Sequence, residues 1–297
     1  MTTQALSPHA PQQGLDGLEE VVDTARYPLH EPAGPRWREV VDRVRGELAD
    51  TGCSVLEDFV RPGARADLER EGDEMAPEAY YDVETVNVYN TDPDPSLPAD
   101  HPARTTLRRG NAFVARDRIP AASTIARLYA SDALRHFVAD CFGRTELHRL
   151  ADPLSALTVN VVAPGREHPW HFDTNEFTVS MLTRRPEGGG VFEFCPGIRS
   201  ARDERLDDVR GVLAGDDRLV QRLDLRPGDL QLFLGRTSLH RVTPVTGGTH
   251  RHSAIFAYSD VPGVVGSIAR TRQLFGRTTP AHTAAAGRVA RADRLLD

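Results

Sequence analysis

Between Arg36 and Asp50 the run WREVVDRVRGELAD repeats apolar residues at helical spacing, and Thr51-Gly52 ends it. CSVLEDFV then reads as a short strand, and RPGARADLEREGDEMAPEAY predicts a second helix with Pro62 near its start. Residues 122–143, ASTIARLYASDALRHFVADCFG, predict two helices in close succession. The texture changes near Leu147. Short β-rich runs now follow one another: SALTVNVVA, WHFDTNEFTVSML, VFEF, LVQRLDL, LQLFL, HRVTPV and HSAIFAYS. Turn signals at Pro164-Gly165, Gly188-Gly189-Gly190, Pro227-Gly228-Asp229 and Gly247-Gly248 separate them. Only DERLDDVRGVLAG interrupts with a helical pattern. Many short strands between Gly/Pro turns predict a mainly β sandwich or barrel with flanking helices.

The polar stretches complete the outline. Residues 1–35 carry several prolines and little periodicity, which predicts a loosely attached, flexible arm. Residues 87–117 are rich in Asp, Pro, Asn and Arg and predict a long loop, of the kind that serves as a lid or substrate-binding segment. The expected organisation is one catalytic domain over 36–297. It divides into a helical flank with a lid loop (36–150), a β core (151–262) and a mixed C-terminal tail (263–297) ending in an Ala/Arg-rich segment of helical character.

Composition narrows the function classes. The 297 residues are 39% hydrophobic and 27% charged, ordinary for a globular protein with a substantial core. The formal net charge is -7 and the cations are carried by arginine without a basic block, which argues against a nucleic-acid surface. Cys53, Cys141 and Cys195 are odd in number and widely spaced, so they suggest neither a zinc cluster nor a disulfide framework. The N-terminal stretch lacks a charged start followed by an apolar core, and no stretch approaches a membrane span. A cytoplasmic protein without a membrane partner is the expectation.

The candidate chemistry begins at His171-Phe172-Asp173 inside a β-rich run. Side chains two apart on a strand share a face, so an imidazole and a carboxylate can meet one ion there. His-x-Asp is weak evidence by itself. His240, 67 residues after Asp173, follows DLQLFLG and opens HRVTPV. Alone it is better read as a core or turn histidine. Together, two histidines and one carboxylate leave open positions on the metal, the arrangement of non-haem Fe(II) oxygenases. Arg251 and Ser253 follow in HRHSAIFAY and again share a face. A guanidinium beside a hydroxyl suits a buried carboxylate. His250 and His252 have the opposite parity and are read as structural.

The combination of His-x-Asp, a distal His and Arg-x-Ser resembles the Fe(II)/2-oxoglutarate dioxygenase superfamily. The strand order over about 151–260 looks like its double-stranded β-helix, the cupin-like jelly roll. The strings WHFDTNEFTVSML, GGGVFEFCPGIR, LRPGDLQLFLGRTSLHRVTPV and DPDPSLPADHP are similar to the BesD/HalD-like enzymes that halogenate or hydroxylate free amino acids. That likeness spans about residues 50–262. It implies Fe(II) held by His171, Asp173 and His240, with 2-oxoglutarate as cosubstrate and O2 as oxidant. Arg251 and Ser253 would hold the far carboxylate of 2-oxoglutarate. Halogenases of the group carry Gly or Ala where this chain has Asp173, so the resemblance implies a hydroxylase that releases succinate and CO2.

Substrate residues are less sharply marked. Asn160 and His168 are candidates for orienting ligands or cosubstrate, with a β-bulge or turn role as the plain alternative for Asn160. Asn175 shares the parity of His171 and Asp173, and a solvated strand edge fits Glu176 equally well. A free amino acid needs a cation for its carboxylate, for which Arg104, Arg108, Arg109 and Arg236 are candidates, and an acid for its ammonium group, for which Asp152 and Glu176 are. The competing readings are a peptide or protein hydroxylase, a cupin-like protein with an inert metal site, and a zinc hydrolase or isomerase.

Overall fold

A computed structural model describes residues 17–82, 84–287 and 295–296. Ten strands form its two main sheets. In chain order they are β1 (Cys53–Leu56), β2 (Asn111–Val114), β3 (Leu157–Val162), β4 (His168–His171), β5 (Thr178–Arg184), β6 (Phe192–Cys195), β7 (Gln221–Leu223), β8 (Leu230–Phe233), β9 (Leu239–Val242) and β10 (Arg251–Phe256). The larger sheet has the order β1-β8-β5-β10-β3-β2 and the smaller one β7-β6-β9-β4. Every pairing within them is antiparallel. The two sheets face each other across a cavity that residues of both line, as a jelly roll requires.

Period-two alternation explains which face each residue takes. On the larger sheet Val159, Val161, Val179, Met181, Leu230, Leu232, Ala254 and Phe256 point away from the cavity into the main apolar core. That core is completed by α1 (Pro35–Thr51), α2 (Pro62–Met75), α3 (Thr124–Ala130) and α4 (Asp132–Cys141). Of the intervening positions, Asn160, Ser180, Gln231, Arg251 and Ser253 are polar and line the cavity. Helix α1 buries Trp37, Val40, Val41, Val44 and Leu48, the 3–4 spacing of one helical face, and stops at Gly52 in a left-handed conformation (φ 69). A second core, with Trp170, Phe172, Leu239, Val209 and Val212, backs the smaller sheet under α5 (Leu206–Leu213).

Four expectations change. Residues 17–35 are no arm: Leu18, Val22, Tyr27 and Leu29 are buried in the main core, and residues 1–16 lie outside the described residues. The segment 87–117 is not one loop, because Asn111–Val114 is the β2 edge strand and Leu107–Arg109 pairs with Glu84–Val86. The β core is not confined to 151–262, since both edges of the larger sheet, β1 and β2, come from the preceding residues. WHFDTNEFTVSML is not a continuous strand but breaks over 172–177 between β4 and β5.

The tail folds into α6 (Ile268–Phe275) and α7 (Pro280–Ala285), while residues 288–294 and 297 lie outside the described residues. His282 of α7 and Asp152 pin this segment to the entry of β3, with Nε2 of the imidazole 3.1 Å from Oδ2 and both side chains fully buried. The Thr279 backbone N–H donates to His282 Nδ1, so Nε2 carries the proton offered to Asp152. His282→Ala removes one hydrogen bond to a buried charge. The expected loss is about 1.5–3 kcal/mol, or roughly 4–10 °C in melting temperature. An unchanged calorimetric melt would contradict the latch.

Candidate metal centre

His171 ends β4 and His240 lies on β9, and the two are paired in register across neighbouring strands of the smaller sheet. Asp173 is two residues past the end of β4. The chain there is held from elsewhere: Phe172 N–H donates to Val88 O (2.8 Å) and Asp173 N–H to Gly235 O (3.1 Å). This brings Asp173 Oδ1 to 3.7 Å from His171 Nε2 and 3.5 Å from His240 Nε2. One donor atom from each of the three residues falls within 4.8 Å of the others, and the histidines are buried. Both imidazoles place Nδ1 near a backbone carbonyl, Pro169 O at 2.9 Å for His171 and Ser238 O at 3.0 Å for His240. Nδ1 is therefore the donor nitrogen, and the Nε2 lone pairs point toward Asp173. The Thr178 hydroxyl donates to Asp173 Oδ2 at 2.6 Å, leaving Oδ1 for the cluster.

The electrostatics favour ligands over charges. Burial first, then the neighbouring His240, lowers the His171 pKa to about 3. Burial opposes ionisation of Asp173, but His240, His171 and the Thr178 hydroxyl outweigh it and hold the carboxyl well below its ordinary range. A neutral His171 imidazole and an ionised Asp173 carboxylate are protonation states a divalent cation needs. The separations suit one ion about 2 Å from each donor. Two imidazoles and one carboxylate on one face fit Fe(II) with open positions. Phe192 and Phe233 pack at 5.6 and 4.8 Å, ring to ring, against His240 and shield it from water.

Gly235 makes room for the carboxylate. A Cβ there would overlap Asp173 Oδ2, and backbone bonding leaves that side chain little freedom to retreat. Gly235→Ala should weaken Fe(II) binding by about 10–100-fold, the scale of disturbing a group behind a ligand. Metal titration checks this, and wild-type affinity would contradict it.

Arg251 and Ser253 begin β10 on the cavity face. Arg251 is buried, donating from Nε to Gly190 O (2.9 Å) and from Nη1 to Ser253 Oγ (2.6 Å). Because Ser253 accepts from the guanidinium, its own proton stays available for a second acceptor. No carboxylate among the described residues pairs with Arg251, and burial lowers its pKa to about 10, so it remains a cation. An anion of matching size is what this corner of the cavity lacks.

Of the other candidates, His168, Asn160, Asn175 and Arg236 line the same cavity of about 1450 Å³. Asn111 donates to Asn160 Oδ1 (2.9 Å), and Asn160 Nδ2 lies 3.3 Å from His168 Nδ1. His168 stacks on His171 with 3.9 Å between ring centroids. Asp152 is a correction: Leu154, Ser155 and Gly266 N–H groups and His282 surround its carboxylate, which leaves it no substrate role. Arg108 is exposed on the 84–86/107–109 ribbon and lines no part of the cavity. Arg109 is buried but donates to Gln273 O (3.0 Å), securing α6, and Arg104 donates to Leu97 O. Glu176 is exposed and pairs with Arg144. His252 faces the opposite side of β10 from Arg251, and burial lowers its pKa to about 4. Thr178 and Gly235 carry no spacing signal in the sequence that would mark them.

Residues 38–268 match the family model HalD, halogenase D. No curated protein matches the chain. In fold it is similar to a prolyl hydroxylase from Trichoplax adhaerens, solved in complex with a hypoxia inducible factor oxygen degradation domain peptide fragment. That pair shares 14% identity and a TM-score of 0.50, over 76% of this chain and 91% of that one. It is also similar to the non-heme alpha ketoglutarate dependent carbocyclase SnoK from nogalamycin biosynthesis, with 15% identity and a TM-score of 0.51 over 75% of this chain and 87% of that one. At these identities the likeness is one of fold. Among the described residues no helix is long and apolar enough to cross a membrane.

Proposed function

The chain belongs to the halogenase D family of Fe(II)/2-oxoglutarate oxygenases, and from that premise we propose that it hydroxylates an unactivated C–H bond of a free amino acid or close derivative. The observation that carries the choice of hydroxylation is Asp173. Its Oδ1 stands beside both histidine nitrogens, and on this reading it fills the place a halide would take.

On this reading His171, Asp173 and His240 hold the iron. When bound, Fe(II) with 2-oxoglutarate and O2 supplies the oxidising power, and succinate and CO2 are released. The protein's own work is placement. Arg251 and Ser253 grip the far carboxylate of 2-oxoglutarate, the one acceptor their corner lacks. Thr178 holds Asp173 in its ligating rotamer. Asn111 and Asn160 orient His168 beside the metal ligands, where its ring faces the cavity. Phe192 and Phe233 keep the centre dry. Arg236 and Asn175, on the cavity wall, offer polar contacts to the amino-acid head.

Aerobic incubation of the iron-loaded protein with 2-oxoglutarate and an amino-acid panel should give succinate that rises with a particular amino acid. No stimulation by any member would sink the substrate class and leave the family standing.

A further inference from the structure

Residues 264–287 form one end of the cavity, and most of this segment lies past the stretch that matches the family model. It is firmly attached. Ala151 N–H donates to Val264 O (2.9 Å), Arg109 to Gln273 O (3.0 Å), and the Asp152–His282 contact fixes α7. Helix α6 thereby faces the cavity side of β2 and β10.

The chemistry changes along β10. Arg251 and Ser253 are followed on the same face by Ile255, the one residue of the strand that is only half-buried. Ile255 and Leu274 pack against Phe113 and Phe275 in a separate apolar cluster. Phe113, Ile255, Ala257, Val265, Ile268 and Leu274 all line the cavity. The carboxylates that line it, among the described residues, are the ligand Asp173 and the exposed Asp82 and Asp92. Asp152 lies next to this region with its carboxylate filled by the contacts already described. Arg236, Arg251, Arg270 and Arg272 line other parts of the same wall.

We infer that this apolar end, closed by α6, receives the substrate's side chain, and that the substrate is an amino acid with an aliphatic or aromatic side chain. The inference rests on the amino-acid reading above. A charged side chain placed against Phe113, Ile255, Ile268 and Leu274 would give up its water for apolar neighbours. An apolar one gains burial against Ile255, Ile268 and Leu274.

Norleucine and lysine are the decisive pair, because they differ in the terminal group while keeping a similar chain. Anaerobic calorimetric titration of the protein loaded with Fe(II) and 2-oxoglutarate should show norleucine binding at least about tenfold tighter than lysine. Leu274→Asp, or Ile268→Asp at a half-exposed position if the first fails to fold, should shrink that ratio by about tenfold. Lysine or glutamate binding as tightly as norleucine to the unmodified protein would overturn the inference while leaving the amino-acid reading intact. An unchanged ratio in a folded variant would overturn the role of α6. If leucine, phenylalanine, arginine, glutamate and both members of the pair all fail to bind, the amino-acid reading falls and takes this inference with it.

Discussion

Asp173→Gly protein should keep its fold and lose hydroxylation by more than the ~100-fold that a group behind a ligand carries. In the proposed site the side chain would be a direct donor; it lies 3.5–3.7 Å from both histidine nitrogens, and no other described carboxylate comes near enough to replace it. Removing it also opens a wide gap, because Gly235 presses on the same spot without a side chain of its own. Thr178 then loses its acceptor and faces that gap. The variant should therefore retain two-histidine iron binding at reduced affinity and admit a halide where the carboxylate stood. Hydroxylation rate and metal titration with and without chloride check both parts. Full-rate hydroxylation by Asp173→Gly would show that the three ligands are misassigned.

The second large effect falls on the cosubstrate. Arg251→Met keeps the length and apolar stem of the side chain and deletes the cation. A carboxylate entering that corner would meet Ser253 alone, inside a buried wall. Breaking one partner of a buried ion pair costs about 3–5 kcal/mol, so the KM for 2-oxoglutarate should rise by roughly 10²–10⁴-fold. On the proposed reading this contact would be made at the end of the cosubstrate remote from the reacting atoms, so kcat at saturation should fall far less. Arg251→Lys should sit between, since a lysine cannot reproduce the fork that spans Gly190 O and Ser253 Oγ. A kcat loss with unchanged KM would assign Arg251 to some other task.

The legibility of this chain follows the range of the forces involved. Alternation along β3, β5, β8 and β10 was plain in the sequence because one face of each strand meets the same apolar helical layer. Helices α1 to α5 were plain for the matching reason. Edge strand β1 was read directly from CSVLEDFV, but β2 was hidden inside the polar 87–117 segment. Its four residues gain their identity from a neighbour distant in sequence, Val159–Val162. The strand parity used to join His171 and Asp173 led to the right neighbourhood by an incomplete route. β4 ends at His171, and it is bonding to Val88 and Gly235 that turns the chain so that Asp173 meets the histidines. Arg-x-Ser was readable since both residues lie within one strand. Asp152 was misread as a substrate residue because nothing local reveals that His282, 130 positions later, comes to its carboxylate. Residues 17–35 and α6 were missed for a related reason: short segments with few apolar residues are ordered by the surfaces they cover.

The most direct test of the account is the mass of the product. Iron-loaded protein supplied with 2-oxoglutarate, O2, chloride and a stimulating amino acid should yield that amino acid with one added oxygen atom, in step with succinate. A chlorinated product in its place, formed with Asp173 intact, would contradict the account at its centre.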